Sequence, residues 1–320
     1  MFWLYLFIFL ICCVLLYFSG EWVVGGLMRM ARFLGWREFV IAFFVMAFAA
    51  SLPNLFVGII SAVNEIPQLS FGDVAGNNLV AMTLAVALGV LFAKNKEITA
   101  ESKTVQTTSV FTIIAAVLPL VLIFDGTLSR IDGILLIAFF IFYMVWLFSK
   151  KERFTKIYNT HKISVVKDFK IFFRDLGRLI LGIILLLFSA QGIVASAQFF
   201  AQSFNIPIIL IGLLVTGVGN ALPEIYFAIS SARKDKDWMI LGNLMGAVIV
   251  PATLVLGIVS LIYPIRIFDF SSFAIARIFL IISAAFFLII VRTDRKITKK
   301  EALFLLLIYI SFVATEIIFR

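Results

Sequence analysis

The residue whose chemistry is hardest to explain away is Glu224, a carboxylate that directly follows a proline within a long apolar stretch, Gly219-Asn220-Ala221-Leu222-Pro223-Glu224. A charged side chain near the centre of a bilayer costs at least ~2.5–3.5 kcal/mol, so such a group is normally kept for a function and faces protein or water. Pro223 has no N–H to give and its ring clashes with the preceding turn. The carbonyls near Val218 to Asn220 are thereby left without helical partners. A carboxylate beside free carbonyl oxygens is a ligand set for a cation.

The pattern occurs twice. Ala49-Ala50-Ser51-Leu52-Pro53-Asn54 carries the same proline 170 residues earlier. At that constant offset Ser19 pairs with Ser189, Leu52 with Leu222, Ser61 with Ser231, Gly72 with Gly242, Gly76 with Gly246 and Thr83 with Thr253. The prolines, the two glycines and the Ser-Ala pair at 61–62 and 231–232 together mark an internal duplication. The polar residues that fall near the two breaks are Ser51, Asn54, Asp73 and Asn77 in the first half, and Asn220, Glu224 and Asn243 in the second. Their amide and carboxylate oxygens suit Na⁺, K⁺, a proton or Ca²⁺.

The elements that must position these groups are membrane helices. Of the 320 residues, 63% are hydrophobic and 14% charged, and the mean hydropathy is +1.13, which excludes a soluble globule. Apolar runs long enough to span a bilayer fall near 2–28, 38–64, 70–93, 105–124, 131–149, 170–203, 206–232, 238–263, 272–291 and 301–319. The expected fold is therefore an all-α integral membrane protein of ten transmembrane helices. The first run lacks a basic leading segment and continues beyond a signal-peptide core, so it is expected to stay attached.

Of the 27 Lys and Arg, 23 fall in loops on one side of these spans. Basic loops stay in the cytoplasm, which predicts both termini outside and a cytoplasmic linker at 150–169. Residues 1–149 and 170–320 then form two five-helix repeats of opposite orientation, with helices 2 and 7 broken at Pro53 and Pro223. Inverted repeats with broken helices in matching places are the pattern of a secondary transporter whose site lies near the midplane. The net charge of +9 follows from topology and weak attraction to anionic lipids, not from nucleic-acid binding. Cys12 and Cys13 are adjacent and point to different helix faces, so they specify neither a disulfide nor a metal site.

Leu52-Pro53-Asn54 followed by Gly72-Asp73-Val74-Ala75-Gly76-Asn77-Asn78, and Leu222-Pro223-Glu224 followed by Gly242-Asn243-Leu244-Met245-Gly246, resemble the two alpha-repeats of the sodium/calcium exchanger family. The resemblance covers nearly the whole chain. It implies an ion path lined by helices 2, 3, 7 and 8, with helices 1 and 6 sliding across them. In the family each repeat usually reads Gly-Thr-Ser-Leu-Pro-Glu, and a pair of glutamates binds calcium. Here Glu224 is kept, but its partner position is Asn54, and the threonine positions are Ala50 and Asn220. Ala81 and Pro251 stand where the family often has Asn or Asp, whereas Asp73 is a gained carboxylate.

Calcium takes 6–8 oxygens including carboxylates, so this set predicts selectivity shifted away from calcium. Plainer roles stand beside each assignment. The plainer alternative for Glu224 is a buried acid satisfied by Asn54 or Asn243, which its place at the break disfavours, and for Asp73 the two readings are a cap of helix 3 and a ligand. Glu21 and Gln191 are repeat partners expected to tie helices 1 and 6. Gly72, Gly76, Gly242 and Gly246 are expected to be packing positions. The expected function is secondary-active cation antiport at the cell membrane, with membrane lipids and small inorganic cations as partners and no cofactor. The competing class is a transport-deficient relative serving as a structural or regulatory membrane partner. An enzyme is excluded by the single histidine, His161, in the linker, and by the lack of any nucleophile–base pairing.

Overall fold

The computed structural model describes residues 1–33, 51–101, 103–149, 165–233, 237–267 and 271–318. Apolar sequence in lipid must satisfy its backbone within each segment, so it folds into helices. They are α1 (Phe2–Phe33), α2 (Leu52–Val63), α3 (Gln68–Phe92), α4 (Lys103–Leu122), α5 (Arg130–Ser149), α6 (Val165–Phe204), α7 (Ile208–Ala232), α8 (Ile240–Ile262), α9 (Ser271–Thr293) and α10 (Lys299–Ile318). Among the described residues nine are long and apolar enough to cross a membrane, and α2 is a shorter apolar helix. It forms the later half of the second expected span. The earlier half, with Ala50, and the linker up to residue 164 lie outside the described residues.

The duplication is visible in the structure. In α3 and α8 the helix widens into a single π-turn at Ala81–Ala85 and Pro251–Val255, 170 residues apart. The Thr83 and Thr253 hydroxyls donate back to Leu79 and Ile249, and Ser19 and Ser189 donate to Leu15 and Leu185. Capping boxes open α5 and α10. Asp132 accepts the Ser129 N–H at 2.8 Å, and Glu301 accepts the Thr298 N–H at 2.7 Å. Two short antiparallel ribbons join the halves, Glu97–Thr99 (β1) with Lys296–Thr298 (β4) and Thr127–Leu128 (β2) with Ile265–Arg266 (β3). Exchanging the repeats turns one ribbon into the other.

The central packing obeys the same exchange. The half-helix Leu222–Ala232 of α7 rests on the later part of α3, while α2 rests on the later part of α8. Each broken helix therefore packs on the third helix of the opposite half. Among the described residues the two later halves make no extensive contact with each other. One core cluster joins α3, α4, α5, α8, α9 and α10, and a second joins α1, α2 and α6 to the start of α7.

One feature breaks the symmetry. Among the described residues α1 and α6 pack along each other and together lean on α2, with no comparable contact to Leu222–Ala232. Leu52 in α2 is 6% exposed, whereas its counterpart Leu222 is 58% exposed. Tyr226, the counterpart of half-buried Phe56, is 68% exposed.

Candidate cation site

The break in α7 is one residue wide: Ala221, between Gly217–Asn220 and Leu222–Ala232, has φ/ψ of −84/−6°, so ψ departs from its helical value by about 40° there. Ser51, which opens α2, has the matching φ/ψ of −88/−3°. The Ala221 N–H still reaches the Gly217 carbonyl at 3.1 Å. Pro223 has no N–H to give the Gly219 carbonyl one turn back, which the Ala221 N–H approaches instead; the Val218 carbonyl, expected to be free, accepts from Ala221 at 3.2 Å. Glu224 lies in the first turn of the half-helix that follows, where the helix dipole favours a negative charge.

Glu224, Asp73, Asn54 and Asn77 are all buried. Oε2 of Glu224 and Oδ2 of Asp73 have no hydrogen-bond partner among the described residues. The two carboxylates lie within electrostatic range of each other. Asp73 Oδ1 accepts the Asn220 amide N–H at 2.8 Å, linking α3 of one half to α7 of the other. The Thr216 hydroxyl lies near Asp73 and donates to the Gly212 carbonyl at 3.0 Å. Thr216, Asn220 and Glu224 follow at intervals of four, so one face of α7 presents a hydroxyl, an amide and a carboxylate in succession. Thr216 ends a π-turn, Gly212–Thr216, a distortion often found at functional sites.

Close backbone approach makes this juxtaposition possible. A Cβ on Gly72 would collide with the Ile209 carbonyl, and one on Gly76 with the Leu213 carbonyl. Gly212 is pressed in return against Leu69, and a Cβ on Gly217 would stand 2.7 Å from the Asp73 carbonyl. Small residues let membrane helices meet at backbone distance, and here that contact carries Asp73 to Asn220. Asn77, one turn beyond Asp73, donates through Nδ2 to the carbonyl of Ala247 at 3.0 Å. These two residues are repeat counterparts, so the bond lies at the pseudo-twofold axis. Asn77 Oδ1 is buried and without a described partner.

The sequence matches the family described as "Sodium/calcium exchanger protein" over residues 4–149 and 175–318. The chain belongs to the sodium/calcium exchanger family. Sodium/calcium exchanger MaX1 of Methanosarcina acetivorans is 25% identical, over 95% of this chain and 96% of that protein. Membrane protein MJ0091 of Methanocaldococcus jannaschii is 29% identical over 75% and 76% of the two chains. A solved structure of the sodium-calcium exchanger NCX_Mj superposes with a TM-score of 0.67 at 26% identity, covering 98% of this chain and 99% of that one. As a member of this family the chain is a multi-pass integral membrane protein and a cation antiporter, not an enzyme.

For an exchanger, the expected site residues divide into two groups. The structure gathers Asp73, Asn220 and Glu224, with Asn77 at the axis one turn away. Asn54 and Ser51 are buried at the start of α2, but Asn54 has no described hydrogen bond to Glu224. Asn243 is half-buried on α8 and bonds neither carboxylate among the described residues. Asp73 is the sixth residue of α3, whose N-cap is Pro67, so the alternative of a helix cap is corrected to an inter-repeat bridge. Gln191 Oε1 accepts the Asn64 amide beyond the end of α2 at 3.4 Å. The side chain of Glu21 lies outside the described residues. Gly72 and Gly76 pack as expected, while Gly242 has no close described neighbour and Gly246 is buried. Thr216 was not anticipated from the sequence, although its four-residue spacing to Asn220 and Glu224 is a usable signal.

Proposed function

We propose that Glu224 and Asp73 are the two anionic ligands of one transported cation site, and that Asn220 and Thr216 hold Asp73 with its free oxygen turned to the ion. The observation that carries this is the pair of buried carboxylates, each with one oxygen unpartnered, at the proline break of α7. Asn77 Oδ1 adds a neutral oxygen. Such a set compensates one or two positive charges, and a neutral Asn54 weakens the hold on a divalent ion in a medium where uncompensated charge is costly. The exchanged ions come from Na⁺, Ca²⁺, K⁺ and H⁺, with selectivity shifted away from calcium. No organic or metal cofactor takes part.

Transport proceeds by alternating access. The bare face at Leu222 and Tyr226, set against the covered face at Leu52, supports an arrangement in which the α1–α6 pair closes one side and leaves the other open. The clustering of Lys and Arg supports a cell-membrane orientation with the open face cytoplasmic and both termini outside. The buried pair formed by the kept Glu224 and the gained Asp73 favours a working antiporter over a transport-deficient relative. The test is flux in proteoliposomes under imposed Ca²⁺, Na⁺, K⁺ and proton gradients. Exchange of a monovalent cation or proton in preference to calcium supports the assignment, and calcium exchange faster than that of every monovalent pair overturns the selectivity claim.

A further inference from the structure

The pseudo-twofold axis carries a bond that the two repeats do not share. In α3 the Ala81 N–H donates back to the Asn77 carbonyl, as a continuing helix requires. The counterpart of Ala81 in α8 is Pro251, which opens the π-turn Pro251–Val255 and has no N–H to give the Ala247 carbonyl one turn back. A buried backbone carbonyl that loses its donor is costly unless another donor reaches it. Asn77 is that donor. Its Nδ2 reaches the Ala247 carbonyl at 3.0 Å, and both residues are buried. Asn77 and Ala247 are themselves counterparts, so a side chain of one half fills the backbone gap of the other.

The same exchange maps the cation site onto a second position. Glu224 falls on Asn54 and Asp73 on Asn243, so neutral amides stand where the first position has carboxylates. The Ala247 carbonyl is the oxygen that could make up part of the difference, and it already accepts an N–H. An amide N–H is a donor and presents positive charge, which takes the place a cation would hold on that oxygen. We infer that Pro251 and Asn77 together close the second-half cation position, and that Asn77 thereby limits the exchanger to one cation per passage. Pro251 is the positioning residue, since it strips the carbonyl of its helical donor. Asn77 determines the count through its nitrogen, while its Oδ1, buried and without a described partner, serves the first position. The inference rests on Glu224 and Asp73 forming that first position, as proposed above.

The test counts bound ions. Purified full-length protein in detergent is brought to saturation with radiolabelled Na⁺, Rb⁺ or Ca²⁺ in separate equilibrium dialyses. The unaltered chain should hold one cation of the kind it prefers. Asn77→Ala makes the two halves alike at this position and releases the Ala247 carbonyl, so the count should double. Adding Pro251→Ala to Asn77→Ala returns a backbone donor to that carbonyl, and the count should fall back to one. A purely structural role for Asn77 predicts no such reversal. If Asn77→Ala does not fold, the unaltered chain and Pro251→Ala alone still decide, because each should hold one cation. More than one cation on either of these, a single cation on folded Asn77→Ala, two on the double variant, or none on any chain would overturn the inference. Glu224→Gln separates this result from the site assignment: a cation retained in Glu224→Gln removes that assignment, whereas the rise and fall of the count at Asn77 and Pro251 is read without it.

Discussion

The bond between Asn220 and Asp73 ties the two carboxylate-bearing helices across the repeats, and its strength is measurable. Its length of 2.8 Å and the burial of Asp73 mark a hydrogen bond to a charged acceptor, a class worth ~1.5–3 kcal/mol. Asn220→Ala removes the donor and leaves Asp73 without its inter-repeat bond. Asp73→Ala removes the acceptor and leaves an amide that water can satisfy, because Asn220 is half-exposed. In a double-mutant cycle the pair should show a coupling of ~1.5–3 kcal/mol, or about 10- to 150-fold in the unfolding equilibrium. The assay is reversible unfolding in mixed micelles titrated with denaturing detergent, in cation-free buffer. Cation addition should then stabilise Asn220→Ala by more than the unaltered protein, since an ion takes over the oxygen that the amide vacated. Single-mutant effects that add to within about 0.5 kcal/mol would refute the bond as a structural link.

Three further outcomes follow from the same geometry. Gly76→Ala should destabilise the protein by ~1–3 kcal/mol, because its Cβ meets the Leu213 carbonyl and not a flexible side chain; Gly177→Ala, with nothing within 4 Å, should be neutral or stabilising in the same unfolding assay. In a protein lacking Cys12 and Cys13, Leu222→Cys and Tyr226→Cys should react with an impermeant thiol reagent from the cytoplasmic side, and Leu52→Cys from neither side. Labelling of Leu52→Cys as fast as Leu222→Cys would remove the asymmetry argument. Asn54→Glu should increase the calcium-dependent rise in unfolding temperature, since a restored second glutamate at the α2 break adds charge compensation for a divalent ion; an unchanged calcium response would show that residue 54 does not face the ion.

What the sequence made legible was what repeats or is costly. The ten spans follow from hydropathy. The paired breaks at Pro53 and Pro223 follow from a constant offset, and Glu224 from the expense of an acid among Leu and Ile. Asp73 was visible as a residue but not as a contact. Its partner Asn220 is 147 positions away in the other half, and only the backbone contact of Gly72 and Gly76 with α7 brings them together. Local rules offered a helix cap for Asp73, and tertiary packing overrode them. The neighbours of the two breaks were not legible either: a pseudo-twofold exchange requires matching partners, and for the described later halves these are α8 and α3. The different exposure of Leu52 and Leu222 was beyond reach, because identical residues at equivalent positions differ only in where the α1–α6 pair rests.

The central claim is that one buried carboxylate at the α7 break holds the transported cation. Glu224→Gln keeps the shape and removes the charge, which at about 4 Å and an effective dielectric near 20 contributes ~4 kcal/mol of attraction to a monovalent ion. Cation-gradient-driven exchange in proteoliposomes, compared at equal protein content for the unaltered chain and Glu224→Gln, measures that contribution directly. Loss of exchange by a factor of about 1000 is the predicted result, and exchange by Glu224→Gln at the rate of the unaltered protein would contradict the account.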